Sequence, residues 1–174
     1  MMGITRKLPC KSIIPIPLKR EEVSTLEPGT YLKFKLDSRP NAQQDDHTFM
    51  FEVPIFKGGT TEQWLKFNKD LAKVFAGQLV QAAADKYTMT RRLLDGDALA
   101  TFNELARTAG DENAANYLAV MRGLAEHVMP RNALQLQKRY MRRFMHKPAD
   151  MKVRDFIARV QEINAHLANF PPFG

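Results

Sequence analysis

The 174-residue chain is 44% hydrophobic and carries 26 Lys and Arg against 19 Asp and Glu, a formal net charge of +7. That length holds one medium domain or two very small ones, and that apolar fraction excludes a chain disordered throughout. No run approaches the ~20 apolar residues of a membrane span, and the single cysteine, Cys10, excludes a disulfide framework or a thiolate zinc site, which suits a reducing, cytoplasmic compartment.

Residues 1–29 hold Pro9, Pro15, Pro17, Pro28 and Gly29 without a sustained helical or strand period, and are expected to form a flexible N-terminal arm. Leu32, Phe34 and Leu36 then alternate with Lys33 and Lys35, the period of a half-buried strand. After a polar loop at 37–46, residues 47–56 predict a second strand, which Pro54 ends or confines to an edge. The two imply a long-looped β-hairpin. Gly58 and Gly59 break the pattern, and Thr60 or Thr61 can cap a helix from Glu62 to about Ala84, with Trp64, Leu65, Leu71, Val74, Phe75, Leu79 and Val80 at helical spacing. A second helix is expected from near Thr88 to just before Gly110, carrying Leu93, Leu94, Leu99, Phe102 and Leu105. Gly96 would break it or permit close packing. Asp111 can cap a third helix reaching Val128, with Tyr117, Leu118, Met121, Leu124 and Val128 on its stripe.

Pro130 suits the start of a fourth helix to about Lys147. Turned at about 100° per residue, that helix places Leu134, Tyr140, Met141, Phe144 and Met145 on one arc. Lys138, Arg139, Arg142, Arg143, His146 and Lys147 fill the other. Pro148 ends it. A fifth helix from about Met151 puts Val153, Phe156, Ile157, Val160, Ile163 and Leu167 on one face. The expected architecture is mainly α: an N-terminal β-hairpin followed by about five helices. Phe170 and Phe173 flank a double proline with no polar tail after them, so the natural polypeptide is expected to continue and these rings to pack on something beyond it.

Three pieces match one family in order. Phe56-x-Gly58-x-x-x-Glu62-x-Trp64-Leu65-x-Phe67 resembles the opening of retrotransposon Gag domains, where a phenylalanine-glycine turn leads into a helix that starts with an acid and a tryptophan. Leu93-Leu94-x-Gly96-x-Ala98-x-x-x-Phe102 resembles the family's leucine-leucine-x-glycine-x-alanine helix, with Phe102 in place of the usual tryptophan. Leu136 to Tyr140, Lys147 to Arg159 and Leu167 to Pro171 resemble its last block, a helix, a break, valine-x-x-phenylalanine-x-x-arginine, then leucine and proline. The match spans roughly residues 30–174, and the strand-rich leader is similar to that of gypsy- or copia-type chains.

The resemblance implies a retroviral-capsid-like helical bundle truncated at its C-terminus, with an N-terminal-like domain at 30–147 and the incomplete start of a C-terminal-like domain at 148–174. It implies a structural protein that self-assembles through helix faces into a homo-oligomeric shell and packages element RNA. Trp64, Leu93, Leu94 and Phe102 would build the core. Val153, Phe156, Ile157 and Leu167 would need an assembly partner. The zinc knuckle often found downstream in Gag chains is impossible with one cysteine, and the protease signature of aspartate, serine or threonine, then glycine is absent. The modules for RNA binding and processing would lie further along or be lost.

Charge points to a partner independently of the resemblance. Between Arg131 and Arg159 nine basic residues face two acids, so this one segment holds the whole excess of +7. Such a patch is the usual footprint of a polyanion. Lys138, Arg139, Arg142, Arg143 and Lys147 are the candidate nucleic-acid contacts, since lysine and arginine neutralise phosphates and release counterions. A solvated helix face, or contact with an acidic neighbouring subunit, explains the same residues, with Arg154 and Arg159 in local salt bridges. The wheel places Tyr140 and Phe144 on the buried arc, away from a base-stacking role. Trp64 fits a core anchor, or alternatively an exposed interface.

No catalytic group stands out. His47, His127, His146 and His166 lack metal-ligand spacing, and Asp95 and Asp97, two apart on a helix, point away from each other. Gly58-Gly59 lacks the lysine and spacing of a phosphate loop, and Ser24 and Thr60 lack a nucleophile-elbow context. No enzyme, cofactor, metal or small-molecule substrate is expected. The alternatives to a shell protein are a basic helical nucleic-acid-binding module and a domesticated Gag adaptor.

Overall fold

The computed structural model describes residues 15–20, 30–37 and 48–171. The hairpin forms where alternation places it. Strand β1 (Tyr31–Asp37) pairs antiparallel with β2 (Thr48–Pro54), with Leu32 opposite Val53 and Phe34 opposite Phe51. Phe34 and Val53 are buried, while Lys33 reaches Glu52 across the wet face at 3.2 Å. Pro54 closes β2 opposite Tyr31, at the end of the ladder where its missing N–H matters least. The expected arm at 1–14 and 21–29, residues 38–46 of the expected loop, His47 and Phe173 lie outside the described residues, as does the Leu36 side chain.

Among the described residues six α-helices follow, one more than expected. Helix α1 (Thr61–Gly77) opens with a capping box: the Thr60 hydroxyl accepts from the Gln63 N–H, and the Gln63 side chain accepts from the Thr60 N–H. It stops at Gly77 and does not reach Ala84. The Val80 N–H reaches the Phe75 carbonyl at 2.9 Å and the Leu79 N–H reaches that of Ala76 at 3.3 Å, the two bonds of a Schellman closure. Leu79 occupies the left-handed position, at φ 52°, that glycine usually takes.

The expected second helix is two. Helix α2 (Ala83–Leu93) and α3 (Gly96–Ala109) are separated by Leu94 in an extended conformation. The break has a long-range cause: the Phe56 N–H donates to the Leu93 carbonyl at 2.9 Å, and the Asp95 N–H donates to that of Phe56 at 3.0 Å. These bonds pair the backbone of buried Phe56, an isolated bridge residue beyond the end of β2, which a continuous helix would leave unpaired. Asp95 caps α3 through the Gly96 N–H at 2.8 Å, with Gly96 at φ +55°. That hydrogen bond, then the Lys57 ammonium, holds the Asp95 carboxyl below the usual carboxylate range. Helix α4 (Ala114–Val128) is capped by Asn113, not Asp111. It packs closely on α3 at Gly123, where an added Cβ would come within 3.0 Å of Leu105.

Helices α5 (Ala133–Arg143) and α6 (Val153–His166) and a 3-10 turn (Leu167–Asn169) complete the chain. One hydrophobic core runs through it all: Trp64, Val74, Tyr87, Leu93, Phe102, Leu124, Met129 and Ile163 are essentially buried. Ile163 and Phe170 belong to that same core. Phe170 therefore finds its cover within this chain.

Residues 15–20 are also docked, contrary to the flexible arm expected there, because side chains supply what a strand partner would. The Ile16 N–H donates to Gln137 Oε1 at 2.7 Å, and Gln137 Nε2 donates to the Ile16 carbonyl at 3.4 Å. Arg159, 4% exposed, donates to the carbonyls of Leu18 and Pro17 at 3.2 and 2.9 Å. Its guanidinium also pairs with Glu62 at 2.7 Å and Glu162 at 2.9 Å. Ile16 and Leu18 are buried beneath this strap.

Candidate nucleic-acid interface

The basic face belongs to α5, whose buried residues are Ala133 and Gln137. Half a turn away, Lys138, Arg139, Arg142 and Arg143 are all exposed. With Gln135 they line an open groove of about 280 Å³. The spacing explains the convergence: residues three and four apart on a helix stand over one another on one face. Four of the five sequence candidates thus come together. Lys147 does not. It lies beyond the end of α5, and its ammonium donates to the carbonyls of Pro148 and Met151 at 3.0 and 2.9 Å, stitching the turn into α6.

None of the four groove cations has a carboxylate or hydrogen-bond partner among the described residues. Lys138 with Arg142, and Arg139 with Arg143, are like charges at i,i+4, each pair opposing the helix by about 0.2–0.5 kcal/mol. Arg142 and Arg143 recover part of that at the negative end of the α5 dipole. Lys138 and Arg139 have no such compensation. The arrangement concentrates positive charge at an open surface and leaves its neutralisation to a ligand.

Several cations elsewhere are matched by acids. Lys19 meets Asp150 and Arg20 meets Glu162, both at 2.8 Å, and Arg91 meets Glu112 at 2.6 Å. Burial alone would raise the Glu162 carboxyl, but hydrogen bonds from Arg159 and Arg20 outweigh it and hold the group below its ordinary value. Arg159, expected in a local surface bridge, is a buried clamp. On the wheel Arg159 flanks the apolar arc of α6, one step beyond Ile163, so the sequence does not mark its burial, whereas Gln137 falls inside the apolar arc of α5.

The core and assembly candidates divide. Trp64, Leu93, Leu94 and Phe102 are 1%, 0%, 3% and 0% exposed, which settles Trp64 as a core anchor, packed with Phe56 and Phe67 at 5.4 and 5.7 Å between ring centroids. Phe156 and Leu167 are partly buried. Val153 and Ile157 stand 59% and 49% exposed, because they lie at the edge of the arc whose centre is Arg159 and Ile163. Leu118, placed on the α4 stripe, is 59% exposed, and Val120 takes the buried position.

Among the described residues no group of three or more His, Cys, Asp and Glu could hold a metal ion, and no helix is long and apolar enough to cross a membrane. Asp95 and Asp97 separate into a helix cap and a partner of His127 at 3.0 Å. Comparison with protein families, with curated proteins and with solved structures found no match.

Proposed function

We propose that the chain is a non-enzymatic helical module that binds nucleic acid through the exposed face of α5. One observation carries the reading: four cations share an open groove on one helix face, with no acid among the described residues to neutralise them. Phosphates meet that requirement, and counterion release on binding supplies the free energy. Replacing Arg139, Arg142 and Arg143 together by glutamine tests it. RNA affinity at about 50 mM salt should fall at least about tenfold while circular dichroism stays unchanged. Unaltered affinity would remove α5 as the binding surface.

A wider reading, motivated by the likeness to retrotransposon Gag chains, adds shell assembly around element RNA. The exposed apolar pair Val153 and Ile157 on α6 favours it. Weak contacts repeated in many copies can hold a shell together. Ile157→Asp is a cleaner probe than a change at the partly buried Phe156. It should abolish any concentration-dependent growth seen by light scattering and leave helicity intact. Growth that persists in the variant counts against assembly through α6.

A further inference from the structure

We infer that the ligand of the α5 face is a single-stranded nucleic acid whose bases stack on the Tyr140–Phe144 ring pair while its phosphates follow the arginine rows. This rests on the reading of α5 as a nucleic-acid surface. Residues four apart form continuous ridges on a helix, and successive ridges lie side by side. Lys138 with Arg142, Arg139 with Arg143, and Tyr140 with Phe144 are three neighbouring ridges. Two carry charge and the third carries aromatic rings. The Tyr140 and Phe144 rings stack on each other along the helix, 6.2 Å between centroids and 26° between planes.

Phe144 is 65% exposed. The helical wheel assigns it to the buried arc, but α5 ends at Arg143, and the Phe144 backbone at φ −122° and ψ −9° departs from helical geometry. An exposed phenylalanine on the ridge next to the Arg139–Arg143 ridge is a π-face at the edge of a phosphate-attracting surface. A duplex cannot use it, because its base faces are already stacked on one another. A single strand can, and base–aromatic stacking tolerates any sequence.

The test measures binding of a labelled 12-nucleotide single-stranded RNA to the full chain, with competition by the matching duplex and by inorganic polyphosphate. The wild type should prefer the single strand to the duplex. Phe144→Ala should weaken the single strand about tenfold and leave polyphosphate within about twofold, since polyphosphate has no bases to stack. Phe144 lies outside the core, so circular dichroism should not change. Equal affinity for strand and duplex, strand binding unmoved by Phe144→Ala, or an equal loss for polyphosphate would each overturn the stacking inference and leave the basic-face reading standing. Failure of the wild type to bind any of the three would overturn both.

Discussion

Arg159 joins three parts of the molecule that have no continuous secondary structure between them: the strap at 15–20, α1 through Glu62, and its own helix α6 through Glu162. Replacing it by alanine leaves Glu62 without its cation, Glu162 with Arg20 alone, and two carbonyls without a donor. Breaking a fully buried pair costs about 3–5 kcal/mol. Glu62 and Glu162 keep 25% and 33% side-chain exposure, so water compensates in part. The expected loss is therefore about 2–4 kcal/mol. In a chain of this size that lowers the Tm by about 10 °C. Arg154→Ala, on the exposed side of the same helix with no ion-pair partner among the described residues, should stay within about 0.5 kcal/mol. Thermal and urea unfolding followed by circular dichroism compares the two. Equal shifts for Arg159→Ala and Arg154→Ala would refute the clamp and with it the docking of residues 15–20.

Three further changes follow from local geometry. Leu79, 74% exposed at φ 52°, holds a position suited to glycine, so Leu79→Gly should raise stability by about 0.5–1 kcal/mol, read as a higher urea midpoint. Tyr87 buries its hydroxyl with no partner among the described residues, so Tyr87→Phe should be neutral or stabilising by about 1 kcal/mol, whereas a loss of that size would mean that the hydroxyl is satisfied. Burial pushes the Tyr117 phenol up to about 12 against the opposing effect of its hydrogen bond with Thr90. A folded value above the unfolded one of 10.0 means that its contribution is intact below pH 10 and lost as pH rises towards 12. Tyr117→Phe should therefore flatten the fall in stability over that window, as measured by urea midpoints at each pH.

What could be read in the sequence is what local periodicity determines. Leu32, Phe34 and their lysine neighbours announce the hairpin, Thr60 and Gln63 announce the start of α1, and the i,i+3,i+4 spacing of Lys138, Arg139, Arg142 and Arg143 places four cations on one face. What could not be read depends on partners distant in the chain. Gly96 marks a break in the sequence, but the extended turn at Leu94 beside it is bonded on both sides to Phe56, a pairing that no pattern within residues 88–110 records. The strap contains Pro15 and Pro17 and has no period of its own. Its order comes from Gln137 and Arg159, more than a hundred residues away. The wheel places Phe144 on the buried arc, but a wheel is valid only while the helix continues, and this one stops a residue earlier.

If the four α5 cations contact phosphate, RNA affinity must depend on salt. Four contacts to a single strand predict a slope of log K against log salt of about −3, close to a fiftyfold loss between 50 and 200 mM. With Arg139, Arg142 and Arg143 changed to glutamine, one cation remains, and the slope should shrink to about −0.7. A wild-type slope near zero, or a slope that the triple substitution leaves unchanged, would mean that these cations do not contact phosphate.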